Sequence, residues 1–120
     1  MLYFAIAITV VVSLIHLYIF WMETFAWETA RVRATFGTDA AFAKASKALA
    51  GNQGVYNLVL ALGLLAGLAL WNVELVMVFL AGVMVVGFYG AATVSERILF
   101  VQALPAGVGI MAWVLSLGLH

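Results

Sequence analysis

No cysteine occurs among the 120 residues, proline occurs once, and only 8% of the side chains are charged. Each shortage excludes something. Without cysteine there are no disulfides, no thiolate chemistry, no iron–sulfur cluster and no cysteine-ligated zinc. The single proline, Pro105, can disturb one helix at most, by removing a backbone bond and freeing the Val101 carbonyl. Ten charges cannot cover a soluble domain of this size, most of whose residues would touch water. The formal net charge is zero, so no basic patch argues for nucleic acid.

What the chain has instead is apolar length. Hydrophobic residues make up 68% of it, and the mean hydropathy is +1.21. A spanning helix needs roughly 20 apolar residues to cross a hydrocarbon core about 30 Å thick. The sequence supplies four such stretches, so an all-α four-transmembrane-helix bundle is expected, a single integral membrane domain over residues 1–120. Its helices are expected at about 2–27, 39–71, 73–94 and 98–119, the first continuing along the interface to near Ala34. The apolar N-terminal run is too long, and lacks the basic flank, for a signal peptide. Residues 31–47 read as the only real loop, with Gly37 as a breaker and Thr38 or Asp39 as the cap of the next helix. Short turns are expected at Trp71–Glu74 and Ser95–Arg97.

Cations orient the helices. Arg31, Arg33, Lys44 and Lys47 lie in the first loop and Arg97 in the third, while the two ends and the second turn carry none. Such a bias over short loops predicts that both termini face the non-cytoplasmic side of the cell (inner) membrane. Trp21, Trp27, Trp71 and Trp113 lie near helix ends, as anchoring aromatics do.

Residues 3, 4, 7 and 11 apart share a helical face. Thr9, Ser13, His16, Phe20, Glu23 and Trp27 form one stripe on the first helix. The second helix shows Asn52, Tyr56, Gly63 and Gly67, with Gln53 and Asn57 beside them. The third shows Gly82, Tyr89, Thr93 and Glu96, and the fourth Gln102, Ala106, Gly109, Trp113 and Ser116. Polar and small faces turn inward in membrane bundles. Counted by depth, His16, Glu23, Asn52, Gln53, Tyr56, Asn57, Tyr89 and Gln102 gather toward the cytoplasmic half, which predicts a polar cup closed outward by small residues. The same groups have a structural reading as hydrogen-bonded glue between helices. Gly63 and Gly67 form a GxxxG that could pair helices or subunits.

Metal chemistry finds no ligand set here. Ferritin-like sites need Glu-x-x-His pairs and zincins need two His at i and i+4; neither is present. His16 and Glu23 lie about 10 Å apart along the axis. No phosphate loop or catalytic triad is legible, and no cofactor is expected.

Several strings carry a family resemblance: His16-Leu-Tyr18, Glu23-Thr-Phe25-Ala-Trp27, Phe36-Gly37, Ala50-Gly-Asn52-Gln53-Gly54-Val-Tyr56-Asn57, Tyr89-Gly90-Ala91, Ser95 and Val101-Gln102-Ala-Leu-Pro105-Ala106. Taken together, they resemble the domain-of-unknown-function family 1304, small four-helix membrane proteins of bacteria. The resemblance covers nearly the whole chain. Ala30 departs from it where proline is expected, which bears on the loop alone. It implies the four-helix architecture and marks the same polar residues, but it implies no activity. The leading expectation is therefore a cup that binds a small amphipathic molecule or lipid headgroup, with membrane lipids as surroundings. If chemistry follows, His16 is the best acid or base, since an unperturbed imidazole titrates near neutrality. The alternatives are a homo-oligomeric proton-linked transporter or channel, with His16 and Glu23 as relay, and an assembly factor with no ligand.

Overall fold

Apolar runs of this length, where they cross lipid, satisfy their own backbone hydrogen bonds as helices. The computed structural model describes residues 1–118. Helix α1 spans Leu2–Phe25, α2 Ala30–Phe36, α3 Ala40–Ala69 and α4 Val73–Thr93, and a π-helical turn, Leu99–Ala103, leads into α5, Leu104–Gly118. Four segments are long and apolar enough to cross a membrane: α1, α3, α4 and Leu99–Gly118. They fit a multi-pass membrane protein. Leu119, where the last expected helix ends, lies outside the described residues.

The joints explain where the helices differ from expectation. The first helix stops at Phe25, and in place of its continuation to near Ala34 a separate helix, α2, runs into the segment expected as loop. Thr29 starts it, accepting from the Val32 amide at 3.4 Å while its hydroxyl donates to the Ala26 carbonyl at 2.7 Å. Gly37 ends it in the left-handed region at φ 71°, with its amide on the Arg33 carbonyl. Of the two expected caps for α3, Asp39 is the one used: its Oδ1 accepts from the Phe42 amide at 2.7 Å.

At the far end of α3, Trp71 holds φ 53°. Its amide reaches Leu68 and the Asn72 amide reaches Gly67, the paired bonds of a Schellman end. Asn72 then caps α4 through the Leu75 amide at 3.0 Å. Proline at 105 has no amide to give to Val101. The ladder just before it widens by one residue, so the Leu104 amide bonds to the Leu99 carbonyl. The expected disturbance at Pro105 takes this form, a π turn.

Two compact units are distinguishable. One comprises Met1–Ile15 and the chain from Leu60 onward. Its core holds Val12, Leu64, Val76, Leu80, Val83 and Trp113. In a membrane, where lipid tails are as apolar as leucine, burial alone would contribute little and close van der Waals approach would do the holding. Glycines supply it. A Cβ on Gly63 would meet the Phe79 ring, one on Gly67 would lie 2.7 Å from Val76 Cγ2, and one on Gly87 would lie 2.7 Å from the Ala103 amide nitrogen. The GxxxG face is thus filled from within the chain by α4. A polar thread crosses this unit: Trp113 Nε1 donates to Thr9 Oγ1 at 2.9 Å, and Thr9 donates to the Ala5 carbonyl at 2.8 Å.

The second unit is His16–Val59. Met22, Ala26, Trp27, Val32, Ala43 and Ala50 form its core. It contains the end of α1, all of α2 and the first two-thirds of α3.

Candidate functional site

The polar stripe read on the first helix is its buried face. Thr9, Ser13, His16, Glu23 and Trp27 are all buried, and Phe20 is half-buried. Within the His16–Val59 unit, α3 comes against this face through glycine. A Cβ on Gly54 would collide with Thr24 Oγ1 and lie 3.1 Å from the Phe20 carbonyl. That approach lets Thr24 donate to the Gly51 carbonyl at 3.2 Å. It also brings Asn57 to Glu23: Asn57 Nδ2 donates to Glu23 Oε1 at 2.7 Å and to its own helix at the Gln53 carbonyl, 3.2 Å. Both residues are buried, Glu23 at 8% exposure and Asn57 at 4%. A carboxyl group is thereby held inside an apolar helical span by an amide from a second helix.

The other expected site residues divide. His16 is buried one helical stretch above Glu23 in the same unit. Asn52, Gln53 and Tyr56 also belong to this unit but are exposed. The face expected on α3 is therefore rotated: Ala50, Gly54, Asn57, Ala61 and Leu64 point inward. The reason is steric, since the small residues, and not the most polar ones, permit the close approach to α1. Tyr89 and Gln102 lie in the other unit, Tyr89 exposed and Gln102 half-buried. On α4 the expected Gly82, Tyr89 and Thr93 give way to Val76, Leu80, Val83 and Gly87 as the buried residues. On α5, Ala106, Gly109, Trp113 and Ser116 are buried as the spacing predicts.

Three interactions of this region were not legible from spacing. Trp27 Nε1 donates to Ser46 Oγ at 3.0 Å, and Ser46 donates in turn to the Phe42 carbonyl at 2.7 Å. Lys47 Nζ pairs with Glu28 Oε1 at 3.1 Å. Beside that pair opens a pocket of about 280 Å³, walled by Thr24, Phe25, Trp27, Glu28, Thr29 and Lys47. A second hollow of about 380 Å³, in the other unit, is almost wholly apolar, lined by residues such as Phe88, Phe100 and Met111. Among the described residues no three His, Asp or Glu side chains gather as a metal site would require.

Comparison with known proteins shows a family and names no activity. A family model described as a protein of unknown function (DUF1304) matches residues 10–114. The uncharacterized protein YpaA of Lactococcus lactis subsp. lactis (strain IL1403) is 29% identical over 115 residues, covering 92% of this chain and 94% of its own length. No solved structure matches.

Proposed function

The chain belongs to the DUF1304 family of proteins of unknown function, and we propose that it is a multi-pass protein of the cell (inner) membrane that holds a small amphipathic molecule or lipid headgroup at the polar groups of its His16–Val59 unit. The observation that carries this reading is the Glu23–Asn57 bond, a carboxyl and an amide buried within apolar spans. Ionisable groups at such positions are costly to bury and mark ligand or ion sites by default. His16 on the same buried face of α1 adds a second titratable group. The cation bias of the loops supports an orientation with both termini outside and α2 on the cytoplasmic side. This unit then opens toward the cytoplasm.

A thermal-shift screen of membrane lipids and cytoplasmic amphiphiles tests the reading. A ligand should stabilise the wild type by mass action, and Asn57→Ala or His16→Ala should erase the gain. Variants that respond like wild type to every compound would reduce the cluster to inter-helix glue. The absence of cysteine makes orientation equally testable. A single cysteine at Thr38 should resist an impermeant thiol reagent in intact cells, and labelling there would overturn the orientation.

A further inference from the structure

We propose that the pocket beside Lys47 and Glu28 is a seat for a zwitterionic lipid headgroup carrying a primary ammonium and a phosphate, of the phosphatidylethanolamine class. None of His16, Glu23 and Asn57 lines it, so the inference stands apart from the reading of the buried pair.

Four observations converge on it. The first is position. The pocket opens where α1 leaves its apolar span at Phe25. The outward face of that end carries Tyr18 stacked on Trp21, ring centroids 6.0 Å apart and 13° from parallel. Aromatics of this kind sit at headgroup depth.

The second is charge. Lys47 and Glu28 offer one cation and one anion 3.1 Å apart, from two different chain segments. A pocket whose charges cancel gains little from a net-charged headgroup but matches both ends of a zwitterion. Phosphate would take the lysine, and a primary ammonium would donate to the carboxylate. A quaternary ammonium has no N–H for that bond, so choline lipids fit less well.

The third is availability. The two side chains are 66% and 43% exposed. An ion pair so exposed is weakly held, and exchanging its partners for those of a headgroup costs little.

The fourth is the surroundings. Trp27 forms a fixed wall, its indole tied to Ser46. Phe25, 70% exposed, offers apolar surface on which an acyl chain can lie as it enters the bilayer.

The test is thermal melting of the purified full chain in detergent with added phosphatidylethanolamine, phosphatidylcholine, phosphatidylglycerol or soluble phosphoethanolamine. Phosphatidylethanolamine should stabilise at the lowest concentration. Lys47→Gln and Glu28→Gln should each weaken its apparent affinity by roughly tenfold or more, as loss of a charged hydrogen bond does. Lys47→Arg should retain it, and so should Asn57→Ala. Three results overturn the proposal: equal stabilisation by all three lipids, Gln variants that respond like wild type, or phosphoethanolamine alone acting as well as the lipid. A response lost in Asn57→Ala but kept in the Gln variants would also overturn it, while leaving the buried-pair reading in place.

Discussion

The two compact units solve the same problem in different ways. Both must hold helices together, and in a membrane lipid would give no hydrophobic drive to do so. The unit built from Met1–Ile15 and the chain after Leu60 uses shape. Its glycines admit Phe79, Val76 and the Ala103 backbone, and a buried side-chain thread runs from Trp113 to Thr9. The His16–Val59 unit uses polarity. It contains four of the five cations, and its helices are joined by Thr24 to Gly51, Trp27 to Ser46 and Asn57 to Glu23. The difference teaches where function is to be sought. Close packing of small residues only holds helices, whereas buried polar groups also offer something to a ligand.

The comparison breaks most visibly at Gly87. An alanine there would place its Cβ 2.7 Å from the amide nitrogen and 3.0 Å from the Cα of Ala103. Backbone cannot rotate away as a side chain can. Gly87→Ala should therefore cost about 1–3 kcal/mol, the usual cost of overpacking, measured by denaturant unfolding in micelles. Gly82 is the control, with nothing within 4 Å of its would-be Cβ. Gly82→Ala on the same helix should be neutral or slightly stabilising. Equal effects at the two positions would mean that shape does not hold this unit.

Next in size is the buried pair of the other unit. Asn57→Leu leaves the Glu23 carboxyl without its amide, and stranding a buried polar group costs about 1–3 kcal/mol. Adding Glu23→Leu should recover most of that loss, because replacing both partners of a buried bond can be nearly neutral. The double-mutant cycle is the measurement. Recovery would mean that the pair is dispensable for folding and is retained for something else. Failure to recover would make it structural and would weaken the ligand reading. The thread in the first unit should behave more mildly. Thr9→Val removes the acceptor of the Trp113 indole, a loss expected near 0.6 kcal/mol, the average for side-chain bonds between membrane helices.

The sequence was most readable where polarity and packing coincide. The stripe from Thr9 on α1 to Trp27 just beyond it is buried save for half-buried Phe20, and Asp39 and Asn72 cap helices where short polar side chains precede apolar runs. It was least readable on α3 and α4. A helix facing lipid on one side and protein on the other is apolar all round, so the amphipathic signal that orients a soluble helix is lost. Weight then falls on the few polar residues, and Asn52, Tyr56 and Tyr89 point outward all the same. Gly54 and Gly87 were the better guides, because each marks a place where something comes too close for a side chain. The candidate site was legible in part for the same reason. His16, Glu23 and Asn57 could be chosen by polarity, whereas the Lys47–Glu28 pair depends on the turn after Phe25, where the sequence reads as continuous helix to near Ala34.

The last comparison sets the left-handed residues described in the two units side by side. Gly37 ends α2 at φ 71°, and Trp71 lies just past the end of α3 at φ 53°. For any residue with a Cβ this region costs roughly 1–2 kcal/mol. Gly37→Ala should thus destabilise by about 1 kcal/mol, and by strain alone, since nothing lies within 4 Å of the new Cβ. At Trp71 the strain is already present in the native chain. Trp71→Gly relieves it but gives up the edge-to-face contact with Trp113, whose ring centroid lies 6.4 Å away. Such aromatic pairs contribute about 0.5–1.5 kcal/mol, so gain and loss nearly cancel and the melting temperature should hardly move. A clear drop in Trp71→Gly would show that the indole does more than offset its own backbone, which its 59% exposure points to the membrane interface to supply. Repeating the melt for Trp71→Gly with Trp113→Phe separates the cases. If the ring pair is the whole offset, the second substitution should cost less in the glycine background than in the wild type. Equal costs in both backgrounds would place the indole's contribution outside the protein, in the headgroup region.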